Sequence, residues 1–224
     1  MSLFLSEKER AFPEMNFVGL VGDGYHQAGL LEEFFTRAAP WARWSWRRPE
    51  TLLDGLSSAD AVVISTENRL NPPAAEPLWM SEAVENGLER FVDEGGGLLV
   101  FHSGMASYPQ NGPYSKLAGG SFQFYPVEHP KFRFFSTQAH PITEGIEPFE
   151  LTDEQYFVRR ELSTTELGRV ESPMFGGSSA LWCQVRGKGR VVGLTPGHTP
   201  ESLNHPMLLR LAGQSLEWAV GRRA

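Results

Sequence analysis

The chain has 224 residues, a formal net charge of −7 at pH 7 and a pI of about 5.4. Hydrophobic residues make up 41% and charged residues 21%, which suits a single domain spanning 1–224, with 1–15 as a peripheral N-terminal extension. The acidic balance argues against a nucleic-acid partner, because proteins that bind nucleic acids usually carry a basic face.

Cysteine content and hydropathy restrict the class further. The one cysteine, Cys183, rules out an intrachain disulfide and a multi-cysteine zinc site. No apolar run approaches the roughly 18 residues that a membrane span needs, and the N-terminal segment lacks the apolar core of a signal peptide. We therefore expect a cytoplasmic protein that does not associate with membranes.

The first hundred residues alternate between predicted strands and predicted helices. Strands are expected at 17–21, 42–46, 60–65 and 97–102, and helices at 28–39, 49–56 and 81–94. The strand at 97–101, GLLVF, is apolar throughout, as in a parallel sheet buried on both faces. The alternation predicts an α/β fold with a mostly parallel sheet.

The second half is less regular. Three prolines place 66–80 in a loop, and 105–130 reads as a loop with a short helix. A strand is expected at 132–138. SALWCQV and RVVGLT, joined by RGKG, predict a hairpin, and a final helix is expected at about 205–220.

Four of the six histidines follow predicted strands, namely His26, His102, His140 and His198. Ligands of open α/β sheets bind beyond the carboxyl ends of the strands, so these imidazoles are expected to converge there. The alternative for each is a solvated surface histidine. Ser103, next to His102, is either a ligand contact or a helix cap, since FHSGM lacks the hydrolase pattern G-x-S-x-G.

The segment HPITEGIEPFELTDEQYF, 140–157, carries two adjacent acids before an aromatic residue. Asp153 and Glu154, close to Tyr156, could ligate a metal, bind sugar hydroxyls or act as a base. In the alternative interpretation Asp153 only caps a turn and Glu154 is solvated.

Several stretches together resemble the trehalose-utilisation, or ThuA-like, family. They are GGGLLVFHS, HPITEGIEPFELTDEQYF, GKGRVVGLTPGHTPESLNHP and the terminal SLEWAV, and the position of His26 also fits. Asp153, Glu154 and Tyr156 match the DE-x-Y pattern of the family. The resemblance covers roughly 16–220, while ENRLNPP at 67–73 matches no family motif.

This resemblance implies a flavodoxin-like three-layer α/β sandwich similar to class I glutamine amidotransferases. Those enzymes place a nucleophilic cysteine after the strand that here ends in His102-Ser103. Glutamine amidotransfer is therefore not expected, because the nucleophile is missing where the chemistry needs it. Cys183 is expected to be structural, on the opposite face of its strand from Trp182.

The first functional hypothesis is an enzyme of sugar catabolism that acts on a carbohydrate or an oxidised sugar derivative. The proposed catalytic residues are His102, Glu154 and His198, and the proposed ligands of zinc or a similar divalent metal are these three with His140. Without a metal, the His and Glu side chains would relay protons. Substrate contacts are assigned to His26, Ser103, Asp153 and Tyr156, and no nucleotide cofactor is expected.

The second hypothesis is a non-catalytic sugar-binding or regulatory module. In that case aromatic side chains would stack on the sugar, with Trp79, Tyr108, Tyr114, Phe124 and Tyr125 as candidates. Ordinary packing is the alternative for these residues. A homo-oligomer is compatible with either hypothesis.

Overall fold

The structure is a computed structural model that describes residues 14–223. The described residues form a nine-stranded sheet, a separate two-stranded sheet and six α-helices. The strands are β1 (Met15–Val21), β2 (Ala42–Trp46), β3 (Ala61–Ser65), β4 (Gly97–Phe101), β5 (Gly120–Phe124), β6 (Lys131–Ser136), β7 (Phe149–Thr152), β8 (Phe157–Arg160), β9 (Thr165–Ser172), β10 (Gly176–Arg186) and β11 (Gly189–Leu194). The helices are α1 (Ala28–Ala38), α2 (Leu52–Leu56), α3 (Glu82–Asp93), α4 (Pro113–Ala118), α5 (Pro200–Leu203) and α6 (Pro206–Ala219).

One half of the large sheet is parallel. Its strand order is β2-β1-β3-β4-β11, and every pairing between these neighbours is parallel. All residues of β3 and β4 are buried, because helices cover both faces, as parallel sheets require. The four strands predicted in the first hundred residues are confirmed, and their carboxyl ends share one edge of the sheet.

The other half is antiparallel and continues as β11-β10-β9-β6-β7. Strand direction alternates here, so β7 and β9 run in the same direction as β4, whereas β6 and β10 run in the opposite direction. The expectation of a mostly parallel sheet thus holds for the first half only. The strands β5, β7, β8 and β9 were not predicted because they are short or, like TELGRVES in β9, polar.

The sheet separates two hydrophobic cores. One contains Phe34 and Phe35 of α1 with residues of α6, β6 and β7, and the other contains residues of α2, α3 and α4. Cys183 belongs to the first core and Trp182 to the second. Their opposite orientation confirms the strand alternation expected at that position.

Local capping explains where two helices begin. Ser81 Oγ accepts a hydrogen bond from the backbone N–H of Val84 at 3.4 Å, which starts α3 as predicted. At α6, His205 Nδ1 accepts from the N–H of Met207 at 3.2 Å.

The expected extension at 1–15 lies largely outside the described residues, and Met15 already belongs to β1. Among residues 14–223, no helix is long and apolar enough to cross a bilayer.

Candidate functional site

His102 stands on a strained turn directly after β4. Its φ of +42° lies in the left-handed region, which non-glycine residues rarely adopt. The turn packs tightly on β3, since a Cβ at Gly104 would lie 2.1 Å from the carbonyl oxygen of Ile64. The local sequence therefore holds a fully buried imidazole at the carboxyl edge of the sheet.

The contacts of His102 determine which ring nitrogen is available. Nδ1 lies 2.7 Å from the carbonyl oxygen of Thr195, which can only accept, so Nδ1 carries the proton. When the ring is neutral, Nε2 therefore carries a lone pair and no proton. It lies 3.3 Å from Oε2 of Glu154 and has no well-formed hydrogen bond within the described residues. The ring stacks on Tyr156 with centroids 4.1 Å apart.

Glu154 lies between two imidazoles. Its Oε2 is 3.3 Å from His102 Nε2 and 3.4 Å from His198 Nδ1. Burial opposes ionisation of this carboxyl group, but the close contact with His102 Nε2 and the positive charge of the protonated His102 ring outweigh burial and lower the pKa of Glu154. The same pair raises the pKa of His102 despite the burial that opposes its charge.

Asp153 fixes the loop that carries His198. The Asp153 carboxylate accepts hydrogen bonds from the backbone N–H groups of Gly197, His198 and Thr199, at 2.9 to 3.2 Å. Gly197 has a φ of +129°, which suits glycine. Because Asp153 is fully buried and occupied by these amides, the structure does not support its predicted contact with substrate.

His26 completes the cluster from the exit of β1. Its Nδ1 lies 2.7 Å from Oδ1 of Asp23, and its Nε2 lies 2.9 Å from Nδ1 of His198. Burial would raise the pKa of Asp23, but the hydrogen bonds from His26 and from the backbone of Tyr25 and Glu67 lower it to about 2. The Asp23 carboxylate therefore stays ionised and orients His26 through its Nδ1.

His26, His102, Glu154 and His198 each offer one potential ligand atom, and these atoms all lie within 4.8 Å of one another. Burial, followed by the neighbouring charge of His102, lowers the pKa of His198 to about 4, so its ring is neutral at pH 7. A buried group of imidazoles around one carboxylate can hold a metal ion or share protons.

His140 does not join this cluster, and its predicted place among the metal ligands is wrong. It follows β6, which runs against β4, so it emerges at the opposite edge of the sheet. There Nδ1 accepts from the N–H of Ile142 at 3.1 Å, and Nε2 lies 3.8 Å from Sγ of Cys183.

The remaining predicted site residues divide between contact and packing. Tyr156 packs against the ring of His102 and is 3% exposed. Ser103 is fully buried, and its hydroxyl has no hydrogen-bond partner in the described part of the chain, so its predicted substrate contact is not supported. Trp79, Tyr108 and Tyr114 are buried packing residues, whereas Phe124 and Tyr125 are exposed.

The structure adds site residues that the sequence analysis missed. His129 Nε2 lies 3.9 Å from the second oxygen of Glu154, and its ring meets that of His198 edge to face. His129, His26 and His198 line a cavity of about 170 Å³ beside α1 and α5. His129 follows no predicted strand, so the rule of strand exits could not select it. Asp23 does follow the first strand, and its spacing of three residues from His26 was the available signal.

The fold and the site together define a class of α/β protein in which a cluster of His and Glu side chains lies at the carboxyl edge of the parallel strands. The sequence profile of the ThuA family, described as trehalose utilisation, matches residues 43–219. The chain therefore belongs to the ThuA family.

Solved structures share the fold. A ThuA-like protein from Parabacteroides merdae aligns with a TM-score of 0.76 at 12% identity, over 94% of this chain and 91% of that one. A ThuA-like protein from Bacteroides uniformis aligns with a TM-score of 0.72 at 16% identity, over 98% of this chain and 96% of that one. A β-galactosidase from Rahnella sp. R3 gives 0.65 at 12%, over 92% of this chain but only 31% of the larger enzyme. No curated protein matches the chain.

Proposed function

We propose that this protein is a sugar-catabolic enzyme that acts on a carbohydrate or an oxidised sugar derivative through the His26, His102, Glu154 and His198 cluster. The carrying observation is the geometry of His102: the Thr195 carbonyl fixes its Nδ1 proton and directs Nε2 at Glu154. Membership of a family described by trehalose utilisation supports the sugar class.

The cluster fits a divalent metal such as zinc. Bonds of about 2.1 Å in a tetrahedral site place neighbouring ligand atoms about 3.4 Å apart. The pairs His102–Glu154 and His198–Glu154 are separated by 3.3 and 3.4 Å, and His26–His198 by 2.9 Å. Separations within the cluster extend to 4.8 Å, which exceeds the roughly 3.4 Å of a tetrahedral site. A side chain at such a distance has to move inward to ligate the metal. The buried Nε2 of His102, which has no hydrogen-bond partner in the described part of the chain, is further support.

When bound, such a metal would polarise a sugar carbonyl or lower the pKa of a water molecule. The chain supplies the rest. Asp23 holds the Nδ1 proton of His26, Asp153 fixes the backbone at His198, and Tyr156 covers one face of His102. Glu154, with its lowered pKa, is the candidate proton acceptor if no metal is bound.

We also propose that the chain forms one domain with the flavodoxin-like sandwich fold of class I glutamine amidotransferases. In this proposal the chain does not catalyse their reaction. The parallel strand order, 2-1-3-4 followed by the late strand β11, supports the flavodoxin-like assignment. His102 occupies the strained elbow after β4, and burial raises the pKa of Cys183 to about 11, which favours the unreactive thiol.

A cytoplasmic location and a small carbohydrate as partner, without nucleic acid or membrane, remain part of this proposal. Two solved structures with a similar fold are described as cytoplasmic proteins of Salmonella typhimurium, which is consistent with that location. A homo-oligomer is compatible with this function.

The test is zinc titration followed by product analysis. The protein is dialysed against a chelator and titrated calorimetrically with zinc. It is then incubated with trehalose or its keto derivative, and products are followed by NMR. We expect stoichiometric zinc binding and turnover that Glu154→Gln abolishes, with Glu150→Gln as a control at an exposed carboxylate paired with Lys131.

Each outcome has a defined meaning. Zinc binding with turnover supports the enzyme, and turnover that survives chelation replaces the metal with a proton relay. Sugar binding without turnover favours the non-catalytic module. If the protein shows no zinc binding and no response to sugars, the proposal is refuted.

A further inference from the structure

The segment 67–73 follows β3. Because β3 lies between β1 and β4, this segment emerges between the exits that carry His26 and His102. The backbone N–H of Glu67 donates to Oδ2 of Asp23 at 3.1 Å, and Asp23 in turn holds His26. The segment is therefore a wall of the proposed site.

Glu67 is buried, with 2% of its surface exposed, and its two oxygens differ. Oε2 accepts hydrogen bonds from Nε and Nη2 of Arg69, at 2.7 and 2.6 Å, and from Oγ of Ser107 at 2.7 Å. Oε1 is buried and has no partner among residues 14–223. An unpaired buried carboxylate oxygen is costly, so this atom requires a donor from a water molecule or a ligand.

Two exposed tyrosines flank this wall. Tyr25 is 55% and Tyr125 is 44% exposed. The ring of Tyr125 is nearly parallel to that of Tyr156, with centroids 5.9 Å apart, and Tyr156 stacks on His102. Burial and then the charge of Glu154, with smaller effects of Tyr25 and Glu67, raise the pKa of Tyr125, so these groups lie within electrostatic range of one another.

We propose that Tyr25, Glu67, Arg69 and Tyr125 form a subsite for a neutral sugar ring beside the His and Glu cluster. The tyrosine rings cover the C–H face of the sugar, and Glu67 Oε1 accepts from a hydroxyl. This inference rests on the proposed function and adds the residues that select the substrate.

The charges of the site favour an uncharged sugar. Among the described groups in and behind the site, there are four carboxylates and a single guanidinium, that of Arg69. The carboxylates are those of Asp23, Glu67, Asp153 and Glu154. Even with a divalent ion bound, the carboxylates would repel a phosphate or a sugar acid. A phosphorylated sugar is therefore expected to bind at least roughly tenfold more weakly than its neutral counterpart.

The test uses the full chain loaded with zinc and follows saturation transfer and chemical shifts by NMR. The probes are trehalose, methyl α-D-glucopyranoside and glucose 6-phosphate. Tyr125→Ala and Arg69→Met are compared with Tyr125→Phe, which keeps the ring. Phe124→Ala is the matched control, because Phe124 is 54% exposed, against 44% for Tyr125, on the same segment but stacks on Phe157.

We expect Tyr125→Ala and Arg69→Met to weaken binding of the neutral sugars by roughly tenfold, the scale of one aromatic contact or one charge-assisted hydrogen bond. Tyr125→Phe and Phe124→Ala are expected to bind as the wild type does, with the same zinc isotherm in all variants. Unchanged binding in folded Tyr125→Ala, tighter binding of glucose 6-phosphate, or no response of the wild type to a neutral sugar overturns the subsite. Zinc binding is measured separately, so the metal centre can stand when the subsite fails. Sugar binding that survives in His102→Asn but not in Tyr125→Ala would retain the subsite even if the proposed metal centre fails.

Discussion

His102 and His140 both follow a strand of the large sheet, yet they lie at opposite edges and carry the proton of the neutral ring on different nitrogens. Nδ1 of His102 faces the carbonyl of Thr195, so its neutral ring offers a lone pair at Nε2. Nδ1 of His140 instead accepts from the N–H of Ile142, so its neutral ring carries the proton at Nε2, towards Cys183. Burial, followed by the charge of Arg190, lowers the pKa of His140 and keeps it neutral.

The difference shows that strand direction and the partner of one nitrogen decide whether a histidine can serve as a ligand. The edge with His102 gathers three imidazoles and a carboxylate. The edge with His140 offers a cavity that is also lined by Glu144 and Arg223, but there the ring caps a short helical turn. Substitutions at the two edges should therefore separate binding from packing.

The largest expected effect is the loss of zinc binding in His102→Asn. Asparagine tolerates the left-handed φ at this position, so the turn is retained while a ligand is removed. We expect zinc affinity to fall at least roughly 100-fold, measured by competition with a chelator. His140→Asn is the matched control and should bind zinc as the wild type does. Equal losses in the two variants would remove the distinction between the edges.

The next effect concerns the carboxylate behind the cluster. Asp23→Asn removes the charge that holds the Nδ1 proton of His26, and changes of this kind reduce metal affinity by roughly 10- to 100-fold. The same titration measures it. A wild-type isotherm in Asp23→Asn would mean that His26 is not a ligand.

The acid dependence of stability tests the same residue without metal. Because the pKa of Asp23 is lowered to about 2 from 3.8, its ionised form stabilises the fold above about pH 4. This contribution disappears as the pH falls towards 2, and its size is about 2 kcal/mol. The difference in unfolding free energy between wild type and Asp23→Asn, from denaturant melts, should shrink over that interval. A difference that is constant from pH 6 to 2.5 contradicts the assignment.

The smallest effect is expected at the other edge. Cys183→Ser should leave zinc and sugar binding unchanged, since Cys183 lies away from the cluster and is 4% exposed. Because its pKa is raised to about 11 from 9.0, the wild-type thiol should react with a disulfide reagent at pH 8 roughly 100-fold more slowly than a free cysteine does. Fast labelling of the native protein would contradict a structural role.

The parallel half of the fold could be predicted from the sequence because its apolar strands and amphipathic helices have clear periods. The antiparallel half could be predicted only in part: the strand β6 and the hairpin of β10 and β11 were expected, but β9 is polar and β7 is only four residues long. This gap caused the error at His140: without β9 the direction of β6 was unknown. Glu154 was selected through its DE-x-Y pattern, and the structure places it in the cluster. Asp153 was assigned to substrate because nothing local shows that its amide partners lie 44 to 46 residues away.

The contact between His26 and His198 joins residues 172 positions apart in the chain. Such a contact closes nearly the whole polypeptide, and loops of this length are among the last to form because their closure entropy is repaid only by structure already in place. The paired imidazoles are therefore a marker of completed folding. A refolding chain should acquire its secondary structure before it can capture zinc, and stopped-flow mixing with a zinc-sensitive dye would record that delay.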